Sequence, residues 1–212
     1  MKKLYEGKAK EVYLTDKENE YMIRYKDDAT AGNGEKKATI SGKGELNLAI
    51  TSAIFKMLEE NGIKTHYIET LNNRDMLVKK VTILPLEVIV RNISAGSFAK
   101  RYGVEEGIVF DTPSFELSYK NDDLGDPLMA RDHAVSLGLI TNKEYDYIRD
   151  ETLKINELLK EFFLKINLKL VDSKIEYCKT DDGTIILDKE ICRRDHWDLV
   201  EGYTEVLKRM RG

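Results

Sequence analysis

Residues 85–102 read PLEVIVRNISAGSFAKRY. Pro85 has no N–H to give a ladder and is suited to open a strand. Leu86, Val88, Ile89 and Val90 form a short β-branched apolar run, the pattern of a buried strand. The run ends in Arg91 and Asn92, and a small-residue loop follows, Ser94-Ala95-Gly96-Ser97, with a basic helical start at Lys100 and Arg101. A buried strand that delivers an arginine into a Ser/Gly loop can build an anion site. The guanidinium offers planar, bidentate donors, and glycine lets backbone N–H groups approach phosphate oxygens. The other reading is that Arg91 only caps the strand and the loop is an ordinary helix N-cap.

Toward the N-terminus, residues 4–26 alternate apolar and polar positions (Val12, Leu14, then Tyr21, Ile23, Tyr25) and predict antiparallel strands joined by a turn at 16–20. The first turn holds Gly7-Lys8-Ala9-Lys10, read either as a flap over phosphates or as a solvated lysine hairpin. Residues 26–43 carry two glycines in the stretch 26–34, the pair Asp27-Asp28 and no apolar period, and are expected to be a long loop. Within it Asp28 and Thr30 suit an amine or a metal-bound water, or simply bend the chain. From Leu46 the period turns helical, ending at Asn61-Gly62, and strands are expected at 67–71 and 76–81. His66, beside a strand start, is expected to be a surface or packing residue.

Toward the C-terminus, a loop-rich stretch runs to Ser114, and a strand is expected at 115–119. Lys120, the acidic text 121–126 and Pro127 read as a polar wall or as a solvated turn. Asp132 is a reasonable helix cap before His133, a histidine without an identified partner. Residues 142–164 form the longest amphipathic pattern. A strand from Leu168 then places Asp172, Lys174 and Glu176 on one face by the period of two, and a turn at 181–183 returns the chain to Asp188. An acid–base–acid row beside Asp188 is suited to hold Mg²⁺ and phosphates, or is an exposed salt-bridged face. A terminal helix is expected over 190–211, with Trp197, Leu199, Val206 and Leu207.

The chain has 212 residues, 42% hydrophobic and 34% charged, with a formal net charge of −4. These values fit an ordinary soluble globular protein and argue against a general binder of nucleic acid or anionic membrane. Two cysteines, Cys178 and Cys192, make neither a disulfide framework nor a metal spacing. Without an apolar h-region or a membrane-length run, a cytoplasmic protein is expected.

The stretches LYEGKAKEVY, KDDATAGNGEKK, SGKGELN, GIKTHYIE, PLEVIVRNISAGSFAKRYGVEEG, YKNDDLGDP and LVDSKIEY together resemble the SAICAR synthetase family of purine-biosynthesis ligases, in order and over nearly the whole chain. The resemblance implies an α+β fold of two lobes, related to ATP-grasp and kinase-like architectures, with ATP between them. It implies an antiparallel β lobe over 1–84 that covers ATP and an α+β substrate and metal lobe over 85–212. It further implies phosphorylation of the carboxylate of the ribonucleotide CAIR, followed by displacement of phosphate by the amine of L-aspartate.

By the same resemblance Gly7, Lys8, Ala9 and Lys10 cover the ATP phosphates. Arg91, Gly96 and Ser97 hold the ribonucleotide phosphate, with Lys100 and Arg101 nearby. Lys120 reaches the nucleotide, Asp126 the substrate side, and Glu176 with Asp188 holds Mg²⁺. Lys10, Lys120 and Asp126 are the catalytic candidates. Asp28 and Asn33, with Lys36, are assigned to the aspartate subsite. Members of the family are often dimers or larger. One departure stands out: family members continue the last hairpin into a segment like ADEISPDTCRLWD, whereas here Leu187 runs straight into Asp188-Lys189-Glu190. By this comparison roughly twenty residues of family text, loop-like in composition, are either deleted at or near Leu187 or left out of the numbered chain. The absence puts Asp188 in doubt as a metal ligand and removes an arginine expected to face the substrate.

Overall fold

The computed structural model describes residues 1–7, 9–31, 36–194 and 201–211, and side chains over 1–7, 9–28, 39–189 and 205–210. Period-two alternation produces the strands of a first sheet, β1 (Lys3–Glu6), β2 (Lys10–Leu14) and β3 (Glu20–Tyr25). Residues 26–43, expected as loop, instead contain a two-stranded hairpin, β4 (Asp28–Ala31) with β5 (Lys36–Thr39). Small alanines alternating with polar residues gave no apolar period to mark it. Helix α1 (Lys43–Glu60) follows and ends at Asn61-Gly62, where Gly62 takes φ +81°. Then come β6 (Tyr67–Thr70) and β7 (Asp75–Lys79), and the sheet runs β1-β2-β3-β7-β6, antiparallel throughout. Its core joins Met22, Tyr25, Met76 and Val78 to Leu48, Ile54, Phe55 and Leu58 of α1. Each such side chain contributes roughly 1.5–3 kcal/mol by leaving water. His66 packs edge-on against Phe55, with ring centroids 5.3 Å apart, a packing role as expected.

The second sheet is built around β8 (Thr82–Ile93), which is longer than the sequence suggested. Pro85 lies inside this strand, within the register irregularity between Ile83 and Glu87 opposite β11 (Leu170–Lys179). A bulge there tolerates a residue without an N–H. Between them in the chain come α2 (Gly96–Tyr102), β9 (Val109–Tyr119), β10 (Leu128–Met129), α3 (Arg131–Ser136) and α4 (Asn142–Lys165). The order is β10-β9-β8-β11-β12, where β12 is Ile185–Arg194. Lys100 and Arg101 occupy the last turn of α2 rather than its start, where cations complement the helix dipole. The strand expected at 115–119 begins at Val109, because pairing with β8 extends past Pro113 across a register shift. Ala130, not Asp132, precedes the first turn of α3.

Helix α4 opens with a reciprocal cap. Thr141 Oγ1 accepts from the Glu144 N–H at 3.2 Å, and the Glu144 carboxylate accepts from the Thr141 N–H at 2.7 Å. The helix lies on one face of the sheet and buries Ile148, Ile155, Leu159 and Phe163. Asn156 of α4 and Asn92 of β8 exchange side-chain hydrogen bonds of 2.9 and 3.0 Å, and Thr152 meets the Tyr177 hydroxyl of β11 at 3.0 Å. Strand alternation therefore turns Glu87 and Arg91 of β8, and Asp172, Lys174 and Glu176 of β11, to the opposite face.

The last helix, α5 (Glu201–Arg211), packs on α1. The terminal helix expected from residue 190 is strand as far as Arg194, paired with β11; Trp197 and Leu199 lie outside the described residues. Contacts divide the chain into Met1–Val81 with Asp198–Gly212, and Thr82–Trp197. The first unit's opening segment therefore ends at Val81, three residues before position 84 and just ahead of β8 at Thr82, and the unit also takes in the last helix. The fold is α+β, with antiparallel sheets. Among the described residues no helix is long and apolar enough to cross a membrane.

Candidate functional site

The face of the second sheet opposite α4 is a lattice of charge. Arg91 is 4% exposed, and its Nη1 donates to Asp172 Oδ2 at 3.1 Å. Its Nη2 donates to Glu116 Oε2 at 3.2 Å and to Ser97 Oγ at 3.1 Å. Arg91 Nε lies 3.2 Å from Glu116 Oε2 yet is buried without a hydrogen-bond acceptor. Arg101 reaches the same Glu116 oxygen at 3.5 Å. One strand-pair along, Lys174 pairs with Glu87, and Glu87 stands directly opposite Glu176 in the register of β8 and β11. Both oxygens of the Glu176 carboxylate receive ammonium groups: Lys120 at Oε2, and Lys189 Nζ at Oε1, 2.8 Å away. Burial disfavours the Glu176 carboxylate, but the charge of Lys189 and hydrogen bonds from Lys120 and Lys189 outweigh it and hold the pKa at about 2.

The register explains these meetings. Asp172 pairs with Arg91 across β11 and β8, and Glu176 pairs with Lys189 across β11 and β12. Lys120 leaves the end of β9, its N–H donating to the Pro85 carbonyl at 3.0 Å. Asp126 follows a 3-10 turn at Asp122–Leu124 and takes φ +49°. Its carboxylate accepts from the Asn121 N–H at 2.8 Å, tying the turn that begins beside Lys120. Gly96 opens α2, and its N–H donates to the Glu106 carboxylate at 2.7 Å, so an anionic group already sits on that donor. Lys100 and Ser97 are exposed.

In the first unit, Gly7 and Lys10 close the turn between β1 and β2, the Gly7 N–H donating to the Lys10 carbonyl at 2.8 Å. A Cβ on Gly7 would come 3.3 Å from the Tyr5 ring. Lys10 Nζ lies over the Tyr25 ring, 4.8 Å from its centroid, and the Ala9 carbonyl accepts from the Lys26 N–H at 2.9 Å. Lys8, Asn33 and the Lys36 side chain lie outside what is described. Asp28 pairs with Lys26 at 2.6 Å, while Lys43 Nζ donates to the Asp28 carbonyl at 2.8 Å. Its neighbour Asp27 holds Arg74 in a two-point ion pair of 2.7 and 2.8 Å, and this lowers the Asp27 pKa to about 2. Burial lowers the Lys43 pKa.

The residues expected to hold Mg²⁺ do not fit that ion here. Mg²⁺ asks for carboxylate oxygens and phosphates or waters in an octahedron, but both Glu176 oxygens are taken by lysines. Asp188 is the extra residue of a β-bulge, since Leu187 pairs with Tyr177 and Lys189 with Glu176. Among the described residues no three His, Cys, Asp or Glu side chains gather as a metal site. The expectation that Asp188 ends the returning strand is therefore corrected: the strand passes through it to Arg194.

Sequence reasoning missed Glu87, Glu116 and Lys189 as members of this face. Glu87 sits in an apolar run and would have been found only by its two-residue period with Arg91, while Glu116 reaches this face through the pairing of β9 with β8, where it stands opposite Ile89. Lys189 depends on pairing across the bulge, which the sequence does not display.

The family model for SAICAR synthetase matches residues 3–210. A phosphoribosylaminoimidazole-succinocarboxamide synthase of Finegoldia magna is 73% identical, with all of both chains covered. That comparison spans 232 positions against 212 residues here, so 20 positions of the alignment have no counterpart in this chain. Among solved structures, the phosphoribosylaminoimidazole-succinocarboxamide synthase of Ehrlichia chaffeensis is 40% identical, with a TM-score of 0.94 over 99% of this chain and 98% of that one. A SAICAR synthetase in complex with ADP is 41% identical, with a TM-score of 0.92 over 97% and 96%. By its match from end to end in sequence and fold, the chain belongs to the SAICAR synthetase family.

Proposed function

We propose that the chain joins L-aspartate to the carboxylate of CAIR at the expense of ATP, giving SAICAR, ADP and phosphate in purine biosynthesis. Family membership over residues 3–210 is the observation that carries this reading. A carboxylate oxygen of CAIR attacks the γ-phosphorus of ATP, and ADP leaves. The aspartate amine then attacks the acyl carbon, phosphate departs, and the amine gives up a proton to leave an amide. Catalysis here is positioning and charge neutralisation, for which lysines and arginines suffice.

In this proposal the turn Gly7-Lys8-Ala9-Lys10 covers the ATP phosphates, and Lys120 reaches the nucleotide from its place beside Glu176. Arg91, Gly96, Ser97 and Lys100 take the ribonucleotide phosphate, which would displace Glu106 from the Gly96 N–H and offer an acceptor to Arg91 Nε. Asp126 stands on the substrate side, and Asp28 and Asn33 belong to the aspartate subsite. Mg²⁺ enters only with the phosphates of ATP. The unit of Met1–Val81 with Asp198–Gly212 acts as the ATP-covering lobe, and Thr82–Trp197 as the substrate lobe. A cytoplasmic location and assembly into a homo-oligomer are part of the same proposal.

The shortfall of 20 positions supports a second reading, a nucleotide-binding relative with impaired catalysis. ADP release measured with ATP, Mg²⁺ and CAIR, with and without aspartate, separates the readings. The ligase requires ADP formation that depends on aspartate. Negligible turnover with both substrates present selects the impaired relative, and ADP formed equally without aspartate makes the chain a small-molecule kinase.

A further inference from the structure

We propose that Lys189 is a built-in counter-cation that replaces a divalent metal ion at Glu176. The inference rests on the ligase reading only for where the ion was expected. A carboxylate buried as deeply as Glu176, 2% exposed, requires positive charge beside it. A divalent ion or a pair of ammonium groups meets that need, and here Lys189 and Lys120 take one oxygen each.

The backbone shows how the lysine comes to be there. Upstream of the bulge, β12 pairs residue for residue with β11 from Ile185 opposite Lys179 to Leu187 opposite Tyr177. Asp188 is skipped, and pairing resumes with Lys189 opposite Glu176. A bulge is the minimal repair when two stretches of strand must join with one residue too many. It falls beside Leu187, near which the resemblance to the family breaks off, and the alignment with the Finegoldia relative is 20 positions longer than this chain. Joining the two stretches thus brings a lysine to the position that faces Glu176. Lys189 is a positioning residue: it fixes the Glu176 carboxylate, which in turn holds Lys120.

Mn²⁺ titration of the full chain without substrates, following free Mn²⁺ by its electron paramagnetic resonance signal, tests this. Wild type and Glu176→Gln should bind Mn²⁺ with affinities within threefold of each other. A weakening of threefold or more in Glu176→Gln would show that Glu176 is a metal ligand and overturn the proposal. Lys189→Gln, which removes the cation and keeps a side chain of similar length, supplies a second arm should Glu176→Gln fail to fold. It should bind Mn²⁺ at least threefold more tightly than wild type, and an unchanged affinity likewise overturns the proposal. No turnover is read, so failure of the ligase reading, seen in ADP release, stays distinct from failure of this one.

Discussion

Arg91 shows how a single side chain changes meaning between sequence and structure. Read from the sequence it is a free fork at a strand end; in the fold it lies within β8, clamped by Asp172 and Glu116. The anion-site reading of the loop beside it came from local composition, an arginine followed by serine and glycine, which needs no tertiary information. Its two carboxylate partners were not, since they come from strands 25 and 81 residues away. Removing one partner of a buried ion pair leaves uncompensated charge, which costs about 3–5 kcal/mol. Arg91→Ala should therefore lower the urea unfolding free energy by that amount, besides raising the KM for CAIR. A loss below about 1 kcal/mol with a raised KM would mean that the carboxylates do not need the arginine and that it serves substrate alone. Glu176 gives a pH signature. Its pKa in the fold, about 2, is below its unfolded value, so its stabilisation is complete above the ordinary glutamate range and fades as pH falls toward 2. The stability gap between wild type and Glu176→Gln should be widest above about pH 5 and close toward pH 2; a gap that is constant with pH would show that the pair contributes through packing alone.

Secondary structure with a strong period was recovered at the scale of elements: α1, α4 and the strands of the first sheet. The errors cluster where pairing with a neighbour, not local pattern, makes the element. The hairpin of β4 and β5, the early start of β9 and the extension of β12 all gain their hydrogen bonds from a partner strand. Close approach between elements was equally hidden. Gly44, in the first turn of α1, donates to Asp27 Oδ1 at 2.8 Å, and a Cβ there would lie 2.7 Å from the Tyr25 carbonyl and 2.8 Å from Arg74 Nη1. Alanine normally favours a helix by about 1 kcal/mol over glycine. At this site the clash with a backbone carbonyl prevails, and Gly44→Ala should destabilise the chain by roughly 1–3 kcal/mol, an overpacking cost. Thermal unfolding followed by circular dichroism checks the sign; a rise in Tm would mean that α1 can shift away from β3 without loss.

For the whole molecule, the two ends of the chain belong to one unit, which a reading in chain order could not reveal. The terminal pattern of Val206 and Leu207 marked an amphipathic helix, but nothing in it says which sheet or helix it joins. Val206 is 3% exposed and α5 packs on α1, so this helix completes the core of the first unit rather than extending the second. Trimming Val206 to alanine leaves a cavity costing roughly 1–3 kcal/mol. The loss should be felt by the unit that owns the helix. Native-state hydrogen exchange of Val206→Ala is expected to show weakened protection in α1, β3 and β7, and smaller changes in β8 and β11, as cooperative units open separately. Equal loss in both sets would show that the chain opens as a single unit, in which case the stability of the charged face and that of the Gly7–Lys10 turn could not be tuned apart.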